Sequence, residues 1–246
     1  MNEIKFDPPK ITIVTACLNQ ADYINTTIQS VLNQEYPNLE YIICDGGSTD
    51  GTIDVIRSYS KKISYWISEK DSGQYNAINK GFQHSSGQIM AWLNADDVLH
   101  PKSLWTVAQI FNDFPEIKWL HGNPTWIDSM GRTVMVKSPP RWSRMRLLKK
   151  DFQWLQQESI FWSRDLWEAS GGRLDENYQL AADFELWVRF FERENLFTTT
   201  APVAGFRSRP YQRSSIFREE YLIEVQTILK KCFRHQKNQK TYKNSK

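Results

Sequence analysis

The chain has 246 residues, 40% of them hydrophobic and 24% charged, with a formal net charge of +3. That length supports one large domain or two small ones with a substantial core, and the composition excludes a disordered chain or a disulfide scaffold. No apolar run approaches the roughly 20 residues that span a bilayer, and Met1 to Lys10 lack the apolar centre of a signal peptide, so a cytoplasmic protein is expected. The first element is Ile11-Thr-Ile-Val-Thr-Ala16, a β-branched run with the length of a buried strand. A polar turn, Cys17-Leu-Asn-Gln, leads into a helix from Ala21 to Asn33, with Ile24, Ile28, Val31 and Leu32 at helical spacing and Tyr36-Pro37 beyond its end.

Leu39-Glu-Tyr-Ile-Ile-Cys44 is a second strand, and it opens directly into the loop Asp45-Gly-Gly-Ser-Thr-Asp-Gly-Thr52. Strand, glycine-rich loop, helix is the arrangement that brings backbone N–H groups to a nucleotide. No Lys-Ser or Lys-Thr follows the glycines, so this is not a phosphate loop of the usual kind. Instead Asp45 stands at the strand end, able to accept hydrogen bonds from a base or ribose, while Gly46 and Gly47 permit close approach. A turn with Asp50 as helix cap accounts for Ser48 to Gly51, and both readings hold, for different residues. A third strand is read at Ile63 to Ile67, then a polar loop with Asp71 facing the same crevice. Gln74 to Phe82 is a helix with Ala77, Ile78 and Phe82 toward the sheet and Asn76, Asn79 and Lys80 as its polar groups.

Ile89-Met-Ala-Trp-Leu93 is the central strand, and it delivers two adjacent carboxylates, Asp96 and Asp97, at its carboxyl end. Paired acids raise each other's pKa unless a cation or donors keep both ionised, and a divalent ion with all-oxygen ligands does so. Capping of the helix from Lys102 to Phe114 is the competing explanation. A strand at Ile117 to Leu120 follows, and the alternation up to there builds a parallel sheet covered by helices on both faces. Beyond residue 122 a hairpin is read at Trp126 to Val136, turning at Ser129 to Gly131. The irregular stretch after it, with Trp142, Trp154, Trp162 and Trp167, suits an acceptor-binding region. Ala182 to Phe191 is a helix with Asp183 at its start, where the dipole and free N–H groups would hold a carboxylate ionised as a base; capping is again the alternative. Phe217 to Cys232 reads as an amphipathic helix, and Lys230 to Lys246, with seven Lys and Arg and no acids, as a frayed tail. Arg141 to Lys150 interleaves cations with apolar residues, as at an anionic membrane surface or on an ordinary solvated helix. Nucleic-acid binding is not expected, because the cations lie outside the organised chain. Cys17, Cys44 and Cys232 have no metal-type spacing and are assigned to packing.

Taken together, Thr15-Ala-Cys-Leu-Asn19, Asp45 to Thr52, Asp71 to Gly81, Leu93-Asn-Ala-Asp-Asp97 and Gly171 to Arg189 resemble the family 2 glycosyltransferases, over nearly all of residues 10 to 206. The resemblance implies an α/β chain of the GT-A fold: a single Rossmann-like domain with a mostly parallel central sheet flanked by helices, plus a C-terminal amphipathic helix. The expected bounds are 1–210 for that domain, with a nucleotide-sugar half at 10–122 and an acceptor half at 123–210, and 211–246 for the C-terminal helix and basic tail. It also implies an inverting enzyme that moves a sugar from a nucleotide-diphospho-sugar, UDP being the commonest nucleotide, to a cell-envelope glycan or lipid-linked saccharide. By the resemblance, Thr15, Asn19, Asp45, Gly46, Asp71, Asn79, Lys80 and Asp96 bind the donor, Asp97 with Asp96 holds Mn2+ or Mg2+, and Asp183 is the base, with Glu185 as fallback. Two positions depart from the family pattern: Ala182 stands where an acid often precedes the base, and Ile78 where many members carry Arg. Peripheral contact with the inner face of the membrane and a homo-oligomer are open expectations. A catalytically inactive sugar- or nucleotide-binding module on the same fold is the alternative.

Overall fold

The structure, a computed structural model, describes residues 7–139, 142–143, 146, 155–210 and 212–243. Trp154 and most of the basic stretch from Arg141 to Lys150 lie outside the described residues. Strand β1 (Ile11–Cys17) is buried along its whole length, because it lies inside the sheet with parallel neighbours on either side, β2 (Leu39–Asp45) and β4 (Ile89–Trp92). β3 (Tyr65–Ser68) pairs parallel to β2. It starts two residues later than the apolar pattern alone places it. The intervening helices cover the faces: α1 (Ala21–Leu32) buries Ile24, Ile28 and Val31, α2 (Thr52–Ser58) buries Ile56, and α3 (Gln74–Gln83) buries Ala77, Ile78 and Phe82. α3 lies so close to β1 that a Cβ on Gly81 would sit 2.5 Å from a methyl of Val14.

After β4 comes a two-residue strand, β5 (Val98–Leu99), then α4 (Ser103–Asp113) and β6 (Trp119–His121). The expected hairpin forms from β7 (Thr125–Ile127) and β8 (Thr133–Val136). Strand β9 (Ile160–Ser163) then enters the main sheet antiparallel between β4 and β6, with Met90 opposite Trp162 and Leu120 opposite Phe161. α5 (Arg164–Ala169), α6 (Ala182–Phe191), β10 (Phe197–Thr198), β11 (Ala204–Arg207), α7 (Arg213–Ile216) and α8 (Arg218–Lys243) complete the described chain. The main sheet has the order β10-β6-β9-β4-β1-β2-β3, and a smaller one the order β5-β11-β7-β8. Strand order reverses between β1 and β4, so the loops leaving their carboxyl ends diverge and open a crevice.

The tryptophans are a correction to the sequence reading. Trp162 and Trp167, expected to face an acceptor, are 0% and 4% exposed and belong to the core. Trp187 of α6 stacks on Trp92 with ring centroids 5.7 Å apart and on Trp119 at 5.9 Å, and Trp162 meets Trp92 edge-on at 5.5 Å. Each such pair contributes about 0.5–1.5 kcal/mol beyond area burial, so this cluster fixes where α6 lies on the sheet. α8 is the expected amphipathic helix, with Val225, Ile228 and Leu229 buried, but it runs to Lys243 where a frayed tail was expected. No helix among the described residues is long and apolar enough to cross a membrane.

Candidate active site

A cavity of about 430 Å3 opens at the crevice, walled by Cys17 of β1, Trp92 of β4, Asp96, Asp183 of α6, Arg207 of β11 and Tyr221 of α8. That size is ordinary for a small-molecule site. Asp183 and Asp96 come from elements far apart in sequence, and the fold brings them to one space.

The chain leaves β4 through a turn in which Asp97 N donates to Asn94 O at 3.1 Å, and the two neighbouring acids then point apart. Asp97 is 1% exposed and does not line the cavity. Its Oδ1 accepts from Arg207 N at 2.8 Å and its Oδ2 from Asn94 Nδ2 at 3.0 Å. Burial, with the Asp96 charge second, pushes its carboxyl well above the usual carboxylate range. Asp97 therefore ties β4 to β11. Asp96 does line the cavity, but its Oδ2 is paired with the Arg209 guanidinium at 2.8 Å. The paired acids expected to converge on Mn2+ or Mg2+ do not converge: Asp97 is buried away from the cavity with a hydrogen bond on each oxygen, and Asp96 faces a fixed cation. Among the described residues no group of three or more His, Cys, Asp or Glu side chains is placed to hold a metal ion.

Two arginines stand where the ion was expected. Arg207 donates from Nε to Asp96 O at 2.5 Å and from Nη1 to the carbonyls of Asp128 and Ser129 at 2.9 and 2.8 Å. Both guanidinium groups lie over the Tyr23 ring, 5.1 Å from its centroid for Arg207 and 4.9 Å for Arg209. Arg207 Nη2 and Arg209 Nε are buried and have no hydrogen-bond partner among the described residues. Sequence reasoning passed over both residues. The available signal was a basic cluster, Arg207, Arg209 and Arg213, at the exit of the apolar run Val203 to Phe206.

Asp183 is the second residue of α6, and its Oδ1 accepts from Phe184 N at 2.7 Å. Burial pushes its carboxyl up to about 7, which corrects the expectation that the helix terminus alone holds it ionised: desolvation outweighs the dipole here. The start of α6 is anchored from outside. Glu224 of α8 accepts from the backbone N–H groups of Gln179, Leu180 and Ala181 at 2.9, 3.0 and 2.8 Å, and Tyr75 Oη donates to Leu180 O at 2.7 Å. Glu185 is engaged away from the cavity by Arg189, which donates from Nε and Nη2 at 2.7–3.0 Å. Glu158, on a 3-10 turn before β9, lines the cavity and is raised well above the usual range, by burial first and then by competition with the nearby Asp97 carboxyl for ionisation.

Of the residues expected to meet the donor, the structure puts Asp71 and Asp96 on the cavity wall. Asp71 Oδ1 accepts from Gly73 N at 2.9 Å, and a Cβ on Gly46 would lie 2.7 Å from its other oxygen, so Gly46 makes room for Asp71. The rest do not line that cavity and are held by contacts within the protein. Asp45 accepts from Gly47 N, Ser48 N, Ser68 Oγ and Ser48 Oγ, which shapes its own loop, ties it to the end of β3 and holds its carboxyl below the usual range against burial. Thr15 Oγ1 meets Tyr41 Oη at 3.2 Å in the core. Asn19 accepts from Thr49 N at 2.9 Å and so stitches the β1 exit to the glycine-rich loop. Asn79 binds Leu174 N and O at 2.8 and 3.0 Å, and Lys80 pairs with Glu69 at 2.6 Å.

A family model described as "Glycosyl transferase family 2" matches residues 12–164. An uncharacterized glycosyltransferase of Rickettsia prowazekii (strain Madrid E) is 28% identical over 200 residues, 77% of this chain and 61% of that protein. Staphylococcus aureus TarS 1-349 in complex with UDP-GlcNAc superposes with a TM-score of 0.68 at 16% identity, over 84% of this chain and 60% of that one. The mannosyltransferase PcManGT from Pyrobaculum calidifontis, in complex with GDP-Man and Mn2+, gives 0.62 at 19% identity, over 88% and 62%. The chain thus spans about three fifths of the length of each. Their architecture, with the helix-flanked sheet described above, makes this the GT-A fold.

Proposed function

Because the chain belongs to glycosyl transferase family 2, we propose that its cavity takes a nucleotide-diphospho-sugar, a UDP-sugar first among them, and passes the sugar with inversion to a hydroxyl of a cell-envelope saccharide. The observation that carries this reading is that Asp183, raised to about 7, shares one cavity with the Asp96–Arg209 pair. A base near neutrality and a guanidinium in one cavity suit a single displacement. The acceptor oxygen forms its bond to the anomeric carbon while its proton passes to Asp183. The bond from that carbon to the diphosphate oxygen breaks, and the electron pair leaves with the nucleotide. Glu224 and Tyr75 keep the start of α6, and with it the base, at a fixed position. An inactive binding module would need no base, and Asp183 favours turnover over that alternative.

Thermal unfolding of the full chain against a panel of nucleotide-sugars tests this. A ligand at 100 times its Kd stabilises by about 2.7 kcal/mol, enough to separate binders from non-binders. A panel in which no nucleotide-sugar shifts the transition sinks the reading.

The pH dependence follows from Asp183. A base works deprotonated, and its pKa is raised to about 7, so kcat/KM should fall as pH drops through about 7 and level off above it. A profile flat down to the ordinary carboxylate range, near pH 4, removes Asp183 from this role.

A further inference from the structure

We propose that Arg209, with Arg207 beside it, supplies the positive charge that meets the donor's diphosphate, so that this chain binds a nucleoside diphosphate without a divalent ion. This rests on the reading of the cavity as a nucleotide-sugar site and adds what recognises the diphosphate there.

Three observations carry it. Arg207 is 2% exposed and lines the cavity, yet among the described residues its Nη2 has no partner, and neither has the buried Nε of Arg209. Buried, charged donors left unpaired are costly, and the cost is recovered when acceptor oxygens arrive. A diphosphate presents such oxygens, and planar guanidinium donors match them. Second, the acids that would hold a metal are turned to other partners: Asp97 to Arg207 N and Asn94, away from the cavity, and Asp96 through Oδ2 to Arg209. Asp96 is thereby a positioning residue. Its carboxylate holds Nη2 of Arg209 and leaves Nε unengaged. Third, Arg207 and Arg209 both sit on Asp96, so that although Asp71, Asp96, Glu158 and Asp183 line the cavity as well, a divalent ion reaching Asp96 would have to enter against two guanidinium groups. Their charges suit an anion. When the bond to the anomeric carbon breaks, these same groups face the charge gathering on the diphosphate.

Titration calorimetry of the whole chain with UDP and, separately, with GDP, in excess EDTA and again in Mn2+ or Mg2+, tests the proposal. We expect UDP to bind with Kd values within about twofold in the two buffers, and Arg209→Gln to weaken binding in EDTA by about 10- to 100-fold. Arg209→Lys, which keeps the charge and loses the fork, should fall between them, with both variants unfolding at the wild-type temperature. Wild-type binding that appears only with the divalent ion overturns the proposal and leaves the nucleotide-sugar reading standing. Unchanged affinity in Arg209→Gln overturns it as well. No binding of UDP or GDP in either buffer overturns the reading of the cavity and the proposal with it.

Discussion

Replacing Asp183 with Asn should reduce sugar transfer by about 100- to 10,000-fold, the usual contribution of a positioned base, while leaving nucleotide affinity within a few-fold of wild type. The substitution is nearly isosteric. It keeps an oxygen to accept from Phe184 N and removes the group that takes the acceptor proton. Because burial already disfavours the ionised carboxyl, the neutral amide should also leave the fold at least as stable as before. Single-turnover transfer assays beside calorimetry with UDP separate the two effects. Retained turnover would move the base elsewhere, and Glu185 is a poor candidate because Arg189 holds it outside the cavity. A loss of nucleotide affinity equal to the loss of rate would instead make Asp183 a binding residue.

Trp187→Ala should cost about 3–5 kcal/mol of stability, the range for truncating a buried aromatic, and so lower Tm by about 6–20 °C for a chain this long. Trp187 is 1% exposed and sits between Trp92 and Trp119, so its removal leaves a cavity against two other rings of the core. It lies one helical turn after Asp183 on α6, so activity should fall further than the loss of folded protein explains. Trp187→Phe, which keeps an aromatic ring, should recover most of both. Thermal unfolding with activity measured at low temperature decides it: a Trp187→Ala protein that melts with wild type would mean that the cluster does not hold α6.

The first half of the chain was legible because its contacts are periodic and local. A buried parallel strand reads as an apolar run, a covering helix as a 3.6-residue pattern, and β1, β2, β4, α1 and α3 all fell where those patterns stand. The second half was not. β9 is a short apolar run, Ile160-Phe-Trp-Ser163, whose identity as a strand depends on the slot between β4 and β6. β5 and β11 exist as strands because they pair with each other across about a hundred residues of sequence. The tryptophans misled for a related reason: an aromatic residue suits a core or a sugar platform equally, and only burial separates the two.

The candidate site divides the same way. Residue type and order were enough to establish the family resemblance, the α/β class, the acid at the end of β4 and the acid that opens α6, because a loop after a parallel strand and a helix start are chemical positions that local sequence marks. Which of two adjacent carboxylates faces the cavity was settled by a turn and by the backbone N–H of Arg207, 110 residues away, taking Asp97 for itself. The proton affinity of Asp183 was likewise decided by burial, and the cation beside Asp96 by where β11 ends. Desolvation and long-range pairing belong to the packed chain and leave no periodic trace in its sequence.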